Sequence, residues 1–260
     1  MFVVALPRRI SLSWLLLATS WLLAATLVQA AEPDASQRAA FKQAYAAAQQ
    51  GGDGWQSLAA GLRDYPLYPY LQEAALEHDI QQIDRATVEA YLAQYPDWIP
   101  AADLRRAFLL ELARRQDWNN FLALYQPGLG DTLSCHALQA RLANGSALDF
   151  DKDVATLWAK PNLPDACDPV LNAAHDQGLL TSARLWTRID RAADAGQAGT
   201  IASLADWLPP AEQASARQLA LALRDPAGAL ANASTWPDTL RDRQAATLAL
   251  TRLARRQSSS

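Results

Sequence analysis

The sequence predicts an all-α fold, an α-solenoid in which short antiparallel helix pairs stack into a superhelical array. Three observations carry that prediction. After residue 30 there are only three Val (Val88, Val154, Val170) and five Ile against a large excess of Ala and Leu, whereas sheets favour β-branched residues. Apolar residues fall at helical spacing: Trp118, Phe121, Leu122 and Tyr125 occupy i, i+3, i+4 and i+7, opened by Asp117 as N-cap and closed by Pro127-Gly128. The same template stands thirty residues upstream as Val88, Tyr91, Leu92 and Tyr95 before Pro96. Thirty residues earlier still it reads Leu58, Gly61, Leu62 and Tyr65 before Pro66. A fixed period in this range marks repeats whose helices each need a neighbour to cover an apolar face.

Taken in order, the chain begins with Arg8 and Arg9, followed by an uncharged apolar run over residues 10–28 and the small-residue site Val28-Gln29-Ala30. Residues 1–30 thus read as a signal peptide cleaved near Ala30, which predicts export and no stable membrane insertion afterwards. The alternative is an uncleaved membrane anchor, since the run nearly matches a bilayer span. Residues 31–260 read as one superhelical helical-repeat domain. Past the three regular copies the beat drifts: Val154, Leu157 and Trp158 run into Pro161, and Ile201, Leu204, Ala205 and Leu208 into Pro209-Pro210. Residues 245–256 form a last amphipathic segment. The chain stops at Gln257-Ser258-Ser259-Ser260 with no partner repeat, so the array is expected to be truncated at its C-terminal end.

With the leader removed, 23 Lys and Arg less Arg8 and Arg9 leaves 21 against 27 Asp and Glu, a formal net charge of −6. That balance argues against nucleic acid as a partner. Cys135 and Cys167 are the only cysteines, and in an exported chain they read as a disulfide, with two buried thiols as the alternative. His78, His136 and His175 have no mutual metal-ligand spacing, and no phosphate-cradling glycine loop occurs, so neither metal nor cofactor is expected. Ser134, Cys135 and His136 adjoin in sequence but do not make a nucleophile and base. A helix carrying Leu104, Phe108 and Leu112 presents Arg105, Arg106, Arg114 and Arg115 on its opposite face. Those four are the candidate contacts to an acidic polymer, the simpler reading being a solvated face. The seven later tryptophans (Trp55, Trp98, Trp118, Trp158, Trp186, Trp207, Trp236) are assigned to core packing rather than to sugar stacking.

From Leu62-Arg63-Asp64-Tyr65-Pro66-Leu67-Tyr68-Pro69-Tyr70-Leu71 onward the chain resembles the soluble lytic murein transglycosylases. Further matches follow in order: Tyr95-Pro96 with Leu104-Arg105-Arg106, Trp118 with Phe121-Leu122, and Cys135 with Ala140-Arg141-Leu142. Leu163-Pro164-Asp165-Ala166-Cys167-Asp168-Pro169 and Gly178-Leu179-Leu180-Thr181 with Arg184-Leu185-Trp186 complete the series. The resemblance implies a periplasmic enzyme that cleaves the MurNAc–GlcNAc bond of peptidoglycan to 1,6-anhydro-MurNAc. It also implies an N-terminal superhelix, a C-terminal lysozyme-like catalytic domain, and a disulfide joining the two cysteines.

The family's catalytic acid lies in a Glu-Ser-x-Phe type motif, and here the six glutamates (Glu32, Glu73, Glu77, Glu89, Glu111, Glu212) are followed by Pro, Ala, His, Ala, Leu and Gln. A general acid of this kind needs a raised pKa in a closed cleft. Glu73, Glu77, Glu89 and Glu111 are instead expected to face solvent, and no catalytic residue is assigned. The chain therefore reads as a non-catalytic scaffold or glycan-access domain of such an enzyme. A free-standing tetratricopeptide-like adaptor that binds a protein partner is the alternative.

Overall fold

The computed structural model describes residues 34–258, so the signal-peptide expectation for residues 1–30 lies outside the described residues. Among them, fourteen α-helices follow one another without a strand. They are α1 (Ala35–Gln50), α2 (Gly54–Leu58), α3 (Tyr68–His78), α4 (Arg85–Gln94), α5 (Ile99–Arg115), α6 (Trp118–Leu124), α7 (Asp131–Ala143) and α8 (Ala155–Trp158). Then come α9 (Asp168–Asp176), α10 (Ser182–Asp194), α11 (Ala198–Ala205), α12 (Pro210–Arg224), α13 (Pro226–Asn232) and α14 (Leu240–Ser258).

Two chemistries start these helices. Asp34, Asp84, Asp117 and Asp225 each accept a hydrogen bond from a first-turn backbone N–H, and Thr181 does the same for α10, satisfying donors that the helix itself cannot. Proline in the first turn opens α3, α5, α9, α12 and α13, where its missing N–H costs nothing.

Helices pack on near neighbours in the chain: α1 on α2 and α3, α3 on α5, α5 on α4 and α6, α6 on α7, α7 on α9, α10 on α11, α11 on α12, and α12 on α13 and α14. The core is correspondingly a succession of clusters along the sequence. The first gathers Trp55, Leu62, Tyr65 and Leu71, the second Val88, Tyr91, Phe108 and Phe121, and the third runs from Cys135 to Ala245.

The thirty-residue beat reappears in the polar links between repeats. Tyr91 donates to the Pro69 carbonyl 22 residues back, Trp158 Nε1 to the Arg184 carbonyl 26 ahead, Ser182 to Glu212 30 ahead, and Arg252 to the Leu223 carbonyl 29 back. Each satisfies a group that stacking would otherwise leave buried and unpaired.

One repeat departs from the expected form. In the Leu58–Tyr65 copy the helix ends at Leu58, which is exposed, and the chain continues as linked three-residue turns: Leu62 N–H to Ala59, Tyr65 N–H to Leu62, Tyr68 N–H to Tyr65. Gly61 and Pro66 disfavour a continuous helix there, yet Leu62 and Tyr65 still reach the core. The last amphipathic segment likewise begins earlier than expected, at Leu240, where Thr239 Oγ1 accepts from the Asp242 N–H and donates to the Asp242 carboxylate.

Candidate functional site

Each of the four arginines of α5 is hydrogen-bonded within the fold. Arg114 donates through Nε and Nη2 to the Glu111 carboxylate at 2.7 Å, and Arg115 Nε donates to the same carboxylate at 2.7 Å. Arg115 Nη2 also caps the Ile80 carbonyl at 2.8 Å. Arg114 nonetheless stays 63% exposed, whereas Arg115 is the more covered of the two. Their hydrogen bonds hold the Glu111 carboxyl down at about 2. Arg106 reaches the Leu129 carbonyl at 2.8 Å and Arg105 the Gln126 Oε1 at 2.6 Å, both in the connection from α6 to α7.

Arg105 and Gln126 line a cleft of about 390 Å³ at the corner where α4 turns into α5. Tyr95, Asp97, Trp98 and Ile99 form its opposite side. Asp97 makes the corner with φ of 64°, a left-handed backbone that a non-glycine residue adopts only at a cost. Trp98 follows as the N-cap of α5 and is 44% exposed, whereas Trp55, Trp158 and Trp186 are buried and Trp118, Trp207 and Trp236 half-buried. The core assignment therefore fails for Trp98. It stands between Pro96 and Ile99-Pro100, ahead of the apolar stripe of α5, and that position was the available signal.

Other clefts sit at successive joints: about 350 Å³ beside α2, α3 and α4, about 420 Å³ between α6 and α8, about 260 Å³ between α8 and α11, and about 770 Å³ beside α14.

Two of the four glutamates expected in solvent are buried, Glu73 at 8% exposure and Glu111 at 7%; Glu77 and Glu89 are exposed. The reason is that α3 lies between α1 and α5, and α5 between α3, α4 and α6, so each is covered over a wider arc than one stripe. Burial, then the negative charges of Glu77 and Asp103, push the Glu73 carboxyl up to about 7. That is the setting of a general acid in its charge state, but Glu73 lines none of the five clefts.

Cys135 and Cys167 are disulfide-bonded, fully buried and 4.9 Å apart at Cα. Burial holds the His136 imidazole below its ordinary pKa, and its ring packs against Trp118 and Phe121. Among the described residues no group of three or more His, Cys, Asp or Glu is placed to hold a metal ion, and no helix is long and apolar enough to cross a membrane.

A stacked helical array with a disulfide at its midpoint and clefts at several of its joints defines the class, an all-α superhelical solenoid. No family model matches the chain. Over 222 residues, 85% of its length, it is 31% identical to the soluble lytic murein transglycosylase of Escherichia coli (strain K12), covering 34% of that protein. It is 30% identical over 226 residues to the soluble lytic murein transglycosylase of Salmonella typhimurium, covering 86% of this chain and 35% of that one. The crystal structure of the 70-kDa soluble lytic transglycosylase of Escherichia coli superposes with a TM-score of 0.70 at 29% identity, covering 86% of this chain and 37% of that one. That of the lytic transglycosylase Slt from Pseudomonas aeruginosa gives 0.67 at 28%, covering 86% and 36%. By sequence and by fold the chain is thus a homologue of the soluble lytic murein transglycosylases, and it spans about a third of the length of the relatives it matches.

Proposed function

We propose that residues 31–260 are the non-catalytic superhelical part of a periplasmic lytic transglycosylase. In this reading the leader over residues 1–30 is cleaved near Ala30, the substrate of the complete enzyme is peptidoglycan, and a lysozyme-like domain is the catalytic partner. The observation that carries it is the pairing of a 31% identical match over 85% of the chain with six glutamates of which none precedes serine. The glutamate with a raised pKa, Glu73, packs among α1, α3 and α5 away from the clefts, and Glu111 is neutralised by Arg114 and Arg115. Neither is set to protonate a glycosidic oxygen and then assist attack by the sugar hydroxyl.

Incubating the purified protein with peptidoglycan sacculi tests both halves. The expected result is co-sedimentation with sacculi and no anhydro-muropeptides by mass spectrometry. Release of anhydro-muropeptides would place the chemistry within this chain and overturn the non-catalytic assignment, while failure to sediment would remove the glycan-contact role.

A further inference from the structure

We propose that the cleft at the α4–α5 corner is a saccharide subsite that takes one N-acetylhexosamine unit of a glycan strand, with the pyranose ring lying on Trp98. Trp98 is held as a platform. The Tyr95 ring meets it edge-on with centroids 6.3 Å apart, and the Tyr95 hydroxyl donates to Gln72 and accepts from Gln94 Nε2 at 2.9 Å. The indole thus stays exposed while its support is anchored to α3 and α4.

The electron-rich face of an indole attracts partial positive charge, and the C–H face of a pyranose supplies it together with apolar area. Sugar hydroxyls both donate and accept, so a saccharide needs both kinds of partner at the rim. Here Asp97 supplies acceptors. Arg105 supplies guanidinium N–H donors at the rim, with Nη1 bound to Gln126. By holding Gln126 Oε1, Arg105 also leaves the Gln126 amide NH2 as a free donor. Leu92, Ile99 and Ala101 give the acetyl methyl an apolar wall. The cleft volume of about 390 Å³ is at the small end of ligand sites, suited to one sugar unit. Asp97 holds its left-handed backbone at the centre of this arrangement. A protein-docking patch is the weaker fit, because the large apolar side chains exposed at this corner are Trp98 and Ile99, set among charged and amide groups rather than in a broad hydrophobic surface.

The subsite rests on the peptidoglycan reading only for the natural source of the sugar, so two probes separate the two claims. Binding of tetra-N-acetylchitotetraose to the purified protein is measured by calorimetry, and co-sedimentation with sacculi is measured in parallel. Trp98→Ala should weaken chitotetraose binding by about tenfold, Trp98→Phe by no more than about threefold, and Gln126→Ala by about threefold. Trp98 is exposed, so the thermal melt of Trp98→Ala should match that of the parent. Undiminished sugar binding in Trp98→Ala would overturn the subsite. So would an absence of chitotetraose binding by a protein that still sediments with sacculi, which leaves the peptidoglycan reading standing. Chitotetraose binding lost in Trp98→Ala, in a protein that ignores sacculi, would support the subsite and overturn the peptidoglycan reading. Loss of a concentration-dependent self-association in Trp98→Ala, with no sugar effect, would assign the surface to a protein partner and overturn the proposal.

Discussion

Glu73 is the residue whose behaviour was hardest to read from sequence. The sequence reading left it in solvent, because helical spacing does not say that α1 and α5 close over both flanks of α3. Its carboxyl is raised by burial and by Glu77 and Asp103, with the Tyr45 and Tyr91 phenols nearby also pushed up by burial and by the Glu73 charge. An acid raised to about 7 stays protonated in the folded chain over a range where the unfolded chain has ionised. From about pH 4.5 to about pH 7, unfolding therefore releases a proton. The contribution to stability is present in full below that window and is lost as pH rises through it. Glu73→Gln, which mimics the protonated form, should melt with the parent at pH 4 and about 2–4 °C above it at pH 8. A gain of the same size at both pH values would show that charge is not what makes Glu73 costly. Trp98 was misread because all seven tryptophans were assigned to the core together, although it lies ahead of the apolar stripe of α5, next to the left-handed turn at Asp97, and is exposed.

At the scale of elements, the helix start named from sequence was legible because an Asp cap acts locally. Asp117 opens α6 as the spacing required, accepting from Asn120 N–H. Local signals also explain the departure at Leu58–Tyr65, where Gly61 and Pro66 break a helix that the apolar pattern alone would continue. The joint made by α7 could not be read the same way. One side of it, Leu133, Ala137 and Ala140, belongs to the second core cluster, while Cys135 and Leu138 belong to the third. The disulfide to Cys167, 32 residues on, ties this joint to the turn that begins α9. Closing a loop of that length in the unfolded chain contributes about 3–4 kcal/mol. Replacing both cysteines by alanine should reduce stability by about that amount in urea titration, together with a fall in the cooperativity between the two clusters. A loss well under 1 kcal/mol would mean that packing alone secures the joint.

The whole molecule stands on nearest-neighbour contacts, and its response to damage should be local for that reason. The first cluster meets the second through α3 against α5 and through the Tyr91 hydroxyl on the Pro69 carbonyl, but its buried residues make no part of the third. In an array of this kind stability is close to a sum of repeat and interface contributions, so unfolding need not be all-or-none. Leu71 is fully buried in the first cluster, and truncating it to alanine removes about 2–5 kcal/mol of packing there. Hydrogen exchange read by mass spectrometry on Leu71→Ala should show faster exchange over α1 to α3 and little change over α10 to α12. A uniform loss of protection extending to α12 would mean that the clusters fold as one cooperative core. The thirty-residue beat would then describe geometry without describing energetics. A confined loss would mean that each joint, including the one holding Trp98 and Arg105, keeps its own stability, so a glycan-contact cleft could be altered without unfolding the repeats beyond it.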